Sequence, residues 1–125
     1  MLTDAEHTAA LARITFAIDA CDEYRRAALA MPHTCEIEHA FRAERLALIH
    51  ARRAGWWIVL ARLTRRAGSP YRIYRTTALM AAVQDRGSAR FWRDASADWF
   101  ARFEDRPTSD AAGALSNWHE LGVTA

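Results

Sequence analysis

The sequence predicts an all-α fold: a compact single domain, residues 1–125, of about five helices. Apolar residues recur at helical spacing, capping residues stand at the starts of those segments, and no stretch alternates as a half-buried strand does. The length of 125 residues suits one core rather than two. A chain that is 51% hydrophobic and 26% charged has a globular rather than a disordered composition.

The first helix is expected to open on a capping box, with Thr3 as cap and Glu6 three residues on. Its apolar stripe runs through Leu11, Ile14, Ile18, Cys21 and Leu29, and Pro32 lies past its end. A second helix is expected from Thr34, with Ile37, Phe41, Leu48, Ala51 and Val59 inward. It either continues to Arg66 or breaks near Gly55. Ala67-Gly68-Ser69-Pro70 reads as a turn, with Ser69 capping a third helix that stops at Gly87. Ser88 is placed to cap a fourth, with Trp92, Ala95, Trp99 and Phe103 on its apolar face. Pro107 closes that helix, and a short fifth over roughly 109–121 would bury Leu115 and Trp118 and end at Gly122.

No segment approaches the roughly 18–20 apolar residues of a membrane span, and the N-terminus lacks the pattern of a secretory signal. Cys21 and Cys35 make a poor disulfide framework, so the expected compartment is the cytoplasm. All 17 basic side chains are arginine. With so much alanine this points to a GC-rich coding bias, so an arginine here is weak testimony for guanidinium chemistry. The net charge of +2 conceals a division. Residues 1–24 carry one arginine against five carboxylates. Residues 45–84 contain no acidic residue and eight arginines. That acid-free basic centre is the strongest feature of the chain.

The stretch "MPHTCEIEH" (31–39) crowds His33, Cys35, Glu36, Glu38 and His39 into nine positions. Cys35, Glu36 and His39 share the first turns of the second helix. Glu36-x-x-His39 has the spacing found twice in di-iron bundles, but no second copy is present. A zinc site from Cys21, His33, Cys35 and His39 matches no common structural pattern. The simpler reading is a helix start: Thr34 caps, Glu36 and Glu38 complement the dipole, and Glu38 pairs with Arg42. No metal and no other cofactor is therefore expected. Arg25 and Glu44 each interrupt an apolar stripe, which predicts a partly buried ion pair between the first two helices. Of Trp56 and Trp57, one is expected in the core and one near the surface. No phosphate loop, nucleophile elbow or HExxH motif occurs, and no residue is assigned a catalytic role.

Residues 56–87 read as a helix-turn-helix-like unit. Ile73, Thr76, Met80 and Val83 would pack inward, leaving Tyr71, Tyr74, Arg75 and Ala78 outward. Arg62, Arg65, Arg66 and Arg72 would flank them as phosphate contacts. The run "SPYRIYRTTALMAAVQDRG" resembles the recognition helix of bacterial helix-turn-helix repressors, through Ser69, Ile73-Tyr74-Arg75, Leu79 and Gly87. It departs from them at Pro70-Tyr71.

The expected function is a non-catalytic, nucleic-acid-binding or regulatory protein. Its surface would comprise Arg62, Arg65, Arg66, Tyr71, Arg72, Tyr74 and Arg75. The alternative is an inhibitor or adaptor of phage or mobile-element type, docking on an acidic protein surface. A metal-dependent bundle enzyme is a distant third. No membrane partner is expected, and self-association through the acidic N-terminal helix is compatible with the charge layout.

Overall fold

A computed structural model describes residues 2–65 and 71–105, with Tyr71 described by its backbone only. It is all-helical. Three helices follow one another: α1 (Asp4–Leu29), α2 (Glu36–Leu63) and α3 (Tyr71–Asp105). The expected turn at Ser69-Pro70 and the expected fifth helix lie outside the described residues.

The capping box at the start of α1 forms as the sequence predicts. The Glu6 backbone N–H donates to Thr3 Oγ1 at 3.1 Å, and the Thr3 N–H donates to Glu6 Oε2 at 2.8 Å. Two helix starts differ. Cys35 rather than Thr34 is the N-cap of α2, and its side chain makes no capping bond. Thr34 donates instead to Glu38 Oε1 at 2.7 Å, joined by the Cys35 thiol at 3.2 Å. Those two hydrogen bonds hold the Glu38 carboxyl below the usual carboxylate range. Glu38 is thereby taken up locally, and Arg42 donates to the Leu29 carbonyl at 3.3 Å, tying the α1–α2 turn.

The third and fourth helices expected from the sequence are one helix of 35 residues, α3, with Gly87 and Ser88 inside it. A glycine costs about 1 kcal/mol in a helix interior, which is too little to break a helix packed on both sides of it. Ala82 and Asp85 before Gly87, and Ser96 after it, are all buried. Gly55 likewise sits inside α2 without interrupting it.

Helix α2 is the centre. It packs extensively along α3 and less along α1, while α1 and α3 share no close backbone approach. Three pairs fix α2 and α3 as antiparallel neighbours. His39 stacks on Trp99 with ring centroids 4.1 Å apart, Ser96 Oγ donates to the Ala40 carbonyl at 3.0 Å, and His50 meets Asp85. This is an αα-hairpin with its helices side by side, not the steeply crossed pair of a helix-turn-helix.

The faces of α2 and α3 also differ from expectation. On α2 the buried positions are Ala40, Ala43, Leu46, Ile49, His50, Ala54 and Ala61, while Phe41, Leu48 and Val59 are exposed. On α3 the buried positions are Ala78, Ala82, Asp85 and Ser96. Ile73, Met80 and Val83 point to solvent at 63%, 68% and 69% exposure, and Ala78 lies inward, reversing the expected orientation of this segment. Small residues at the buried positions let the two backbones approach closely, and the large side chains are left outside. A compact apolar cluster of Cys21, Ala28, Leu46 and Ile49, with Leu29, Met31 and Trp92 against it, joins all three helices.

Candidate functional site

The described members of the predicted contact set, Arg62, Arg65, Arg72, Tyr74 and Arg75, lie where α2 finishes and α3 begins. Thr64 ends α2: its hydroxyl donates to the Leu60 and Ala61 carbonyls at 3.0 and 3.2 Å, satisfying groups a helix terminus leaves open. Arg62, Arg65 and Arg72 are exposed there, Tyr74 is 57% exposed, and Arg75 is half-buried. Arg66 and the Tyr71 side chain lie outside the described residues. Among the described residues none of Arg62, Arg65, Arg72 and Arg75 makes an ion pair. By contrast Arg26 pairs with Glu23, Arg53 with Asp22 and Asp85, and Arg93 with Asp94. Three exposed guanidinium groups thus stand at one end of the hairpin without carboxylate partners among the described residues, a local concentration of positive charge.

The residues around 31–39 do something plainer. His33 Nδ1 lies 2.9 Å from the Met31 carbonyl, and its ring meets His39 edge-on at 5.6 Å. His39 is occupied by its stack on Trp99. No three His, Cys, Asp or Glu side chains among the described residues are placed to hold a metal ion. The expected Arg25–Glu44 ion pair is not formed: Arg25 is half-buried and Glu44 is exposed. Glu44 instead borders a hollow with Met31, Phe41 and Leu48. Trp57 is half-buried. Trp56 is 38% exposed, on the wall of a groove of about 310 Å³ between α1 and α2 that Tyr24, Arg45 and Arg52 also line.

The most elaborate constellation went unread in the sequence. Arg53 on α2 grips Asp85 on α3 through Nε to Oδ2 and Nη2 to Oδ1, both at 2.9 Å. Its Nη1 donates to Asp22 on α1. His50 Nδ1 reaches Asp85 Oδ1 at 2.8 Å. One side chain from each helix is thus linked through Arg53. Burial pushes the Asp85 carboxyl up, but the hydrogen bonds from Arg53 and His50 and the Arg53 charge outweigh it, and its pKa is lowered. An ionised Asp85 only accepts, so His50 Nδ1 carries the proton between them. The hydrogen bond to Asp85 raises the Arg53 guanidinium further, and burial raises the nearby Cys21 thiol.

Only 7% of the His50 side chain and 5% of the Asp85 side chain are exposed. The enclosed His–Asp pair and the Arg53 fork together clamp the helices to one another. The sequence carries only a weak trace of this network: His50, Arg53 and Asp85 stand among alanines on faces that are known as inward only once α2 and α3 are paired.

Among the described residues the fold and site comprise three helices arranged around an αα-hairpin, with a buried polar clamp and an arginine-rich end. Comparison with family models, with curated proteins and with solved structures finds no match to this chain.

Proposed function

We propose that this protein is a non-catalytic binding domain that engages the phosphate backbone of a nucleic acid through the arginine-rich end of the α2–α3 hairpin. One observation carries the reading: Arg62, Arg65 and Arg72 stand exposed at that end without a carboxylate partner among the described residues. Guanidinium groups in that state release condensed counterions when they meet phosphates, which favours association without base recognition. Backbone contact, rather than base reading by a recognition helix, is the mode that fits. Ala78 lies inward, and Arg75 is half covered.

The test is titration of duplex and single-stranded DNA and RNA at several salt concentrations. The reading expects binding that weakens steeply with salt, and a slope that flattens by about 0.9 for each phosphate-contacting arginine replaced by alanine on a duplex. Absence of salt-dependent binding to all of them would refute it. An acidic protein surface is the second reading, favoured by the exposed Tyr74 and Ile73 beside Arg72. It expects the same arginines, with Tyr74, to be sensitive to alanine replacement against a protein target only.

A further inference from the structure

The outward face of α3 carries more large apolar side chain than a helix facing only water needs. Ile73, Met80, Val83 and Phe91 are each 63–69% exposed, and Thr76 and Gly87 lie on the same side. The spacing Ile73, Met80, Gly87 repeats every seven residues, interleaved with Thr76 and Val83. That is the seam a helix presents to a second helix. Neither α1 nor α2 covers it.

The charge along α3 identifies what does. From Arg72 to Arg93 its exposed charged residues are all arginines, 72, 86, 90 and 93, whereas from Asp94 on they are the carboxylates Asp94, Asp98, Glu104 and Asp105 with Arg102 as the one base. The first turn holds no acidic residue. This order opposes the helix dipole, which favours acids at the start and bases at the end. Helix α2 does not compensate, because its end beside the start of α3 carries Arg62 and Arg65. A second α3 running antiparallel compensates in part, since it sets the basic N-terminal half of each copy against the more acidic C-terminal half of the other.

We infer that the protein forms a two-fold homodimer in which the α3 helices of two copies pack antiparallel along the Ile73–Met80–Val83–Phe91 seam. The register that sets Arg72 beside Asp98 of the second copy also sets Thr76 beside its Asp94, Val83 beside its Gly87 and Met80 beside its Arg90, next to Phe91. A Cβ at Gly87 would meet nothing within 4 Å in its own chain. The bare backbone there suits the close approach of another helix near the two-fold axis. Only Arg72 of the arginine-rich end is engaged, so Arg62 and Arg65 stay free, and this inference stands or falls apart from the nucleic-acid reading.

Sedimentation equilibrium of the full chain tests it. The wild-type protein should be a dimer at micromolar concentration. Met80→Arg should weaken association by roughly a hundredfold, since it buries an unpaired charge in the seam. Gly87→Leu should also give monomer, while its circular dichroism and thermal midpoint match or exceed those of wild type, because the new side chain meets open space in the isolated chain. Arg72→Asp and Asp98→Arg should each weaken the homodimer. Mixed together, the two variants should associate again, because both contacts between copies are then between opposite charges. A wild-type chain that remains monomeric across the concentration range would overturn the inference and leave the seam to residues 106–125 or to a different protein. A dimer unmoved by Met80→Arg and Gly87→Leu would overturn it equally, and a mixture that fails to reassociate would refute the antiparallel register.

Discussion

Arg53 holds Asp85 with two parallel hydrogen bonds of 2.9 Å across the α2–α3 interface, while its remaining nitrogen reaches Asp22 on α1. A planar guanidinium is the one side chain able to present that fork to one carboxylate and still serve a second. The bridge bears on stability in a direction that depends on which partner is removed.

Replacing Asp85 alone with alanine should cost about 3–5 kcal/mol, because Arg53 and His50 lose the acceptor they share in a buried place. Urea denaturation followed by circular dichroism measures it. A cost under about 1 kcal/mol would show that water takes over the role of Asp85.

Replacing the whole cluster should cost far less than that. A His50→Leu/Arg53→Met/Asp85→Leu variant leaves no charge buried, and Asp22 is already half in solvent. Its stability should fall within about 2 kcal/mol of wild type. Strict additivity of the single changes in the same assay would mean the three side chains act independently.

Acid should loosen the clamp. The folded pKa of Asp85 is depressed, so the folded chain binds fewer protons than the unfolded one. That stabilisation is in place above the unfolded carboxyl value of about 4 and is lost as pH falls through the lower folded value. Denaturation measured from pH 7 down to pH 2 should show this decline. Asp85→Asn should be less stable at neutral pH and show a shallower acid limb.

The Ser96–Ala40 contact predicts a size limit. Ala40 is fully buried where α3 passes, and Ser96 Oγ bonds its carbonyl at 3.0 Å. Ser96→Ala should cost about 1 kcal/mol. Ala40→Leu should cost about 1–3 kcal/mol or more, since the helices must separate to admit it. Thermal denaturation ranks the two, and equal effects would indicate a looser interface.

Gly55→Ala should stabilise the protein by about 1 kcal/mol, because a Cβ there meets nothing within 4 Å and the helix loses its most flexible residue. A loss of stability would reveal a neighbour that the isolated chain does not contain.

The helical class, the Thr3–Glu6 capping box, the inward Ile14 and Cys21 of α1 and the acid-free basic centre were all determined by local sequence. Each depends on neighbours within a turn or on charge counted along the chain, and such terms need no partner helix. The number of helices and the inward faces of α2 and α3 were decided by tertiary packing. Periodicity weighs side chains by size, so Phe41, Leu48, Ile73 and Met80 marked a face that proves to be the outer one. The true interface is built from Ala40, Ala43, Ala54, Ala61, Ala78 and Ala82. Small residues gain their energy by letting backbones close together, and that gain exists only once the second helix is present. For the same reason Gly87 reads as a stop in isolation but is carried through by α2. His50, Arg53 and Asp85 look like solvated polar residues until antiparallel pairing brings residues 32 and 35 positions apart into one enclosed network.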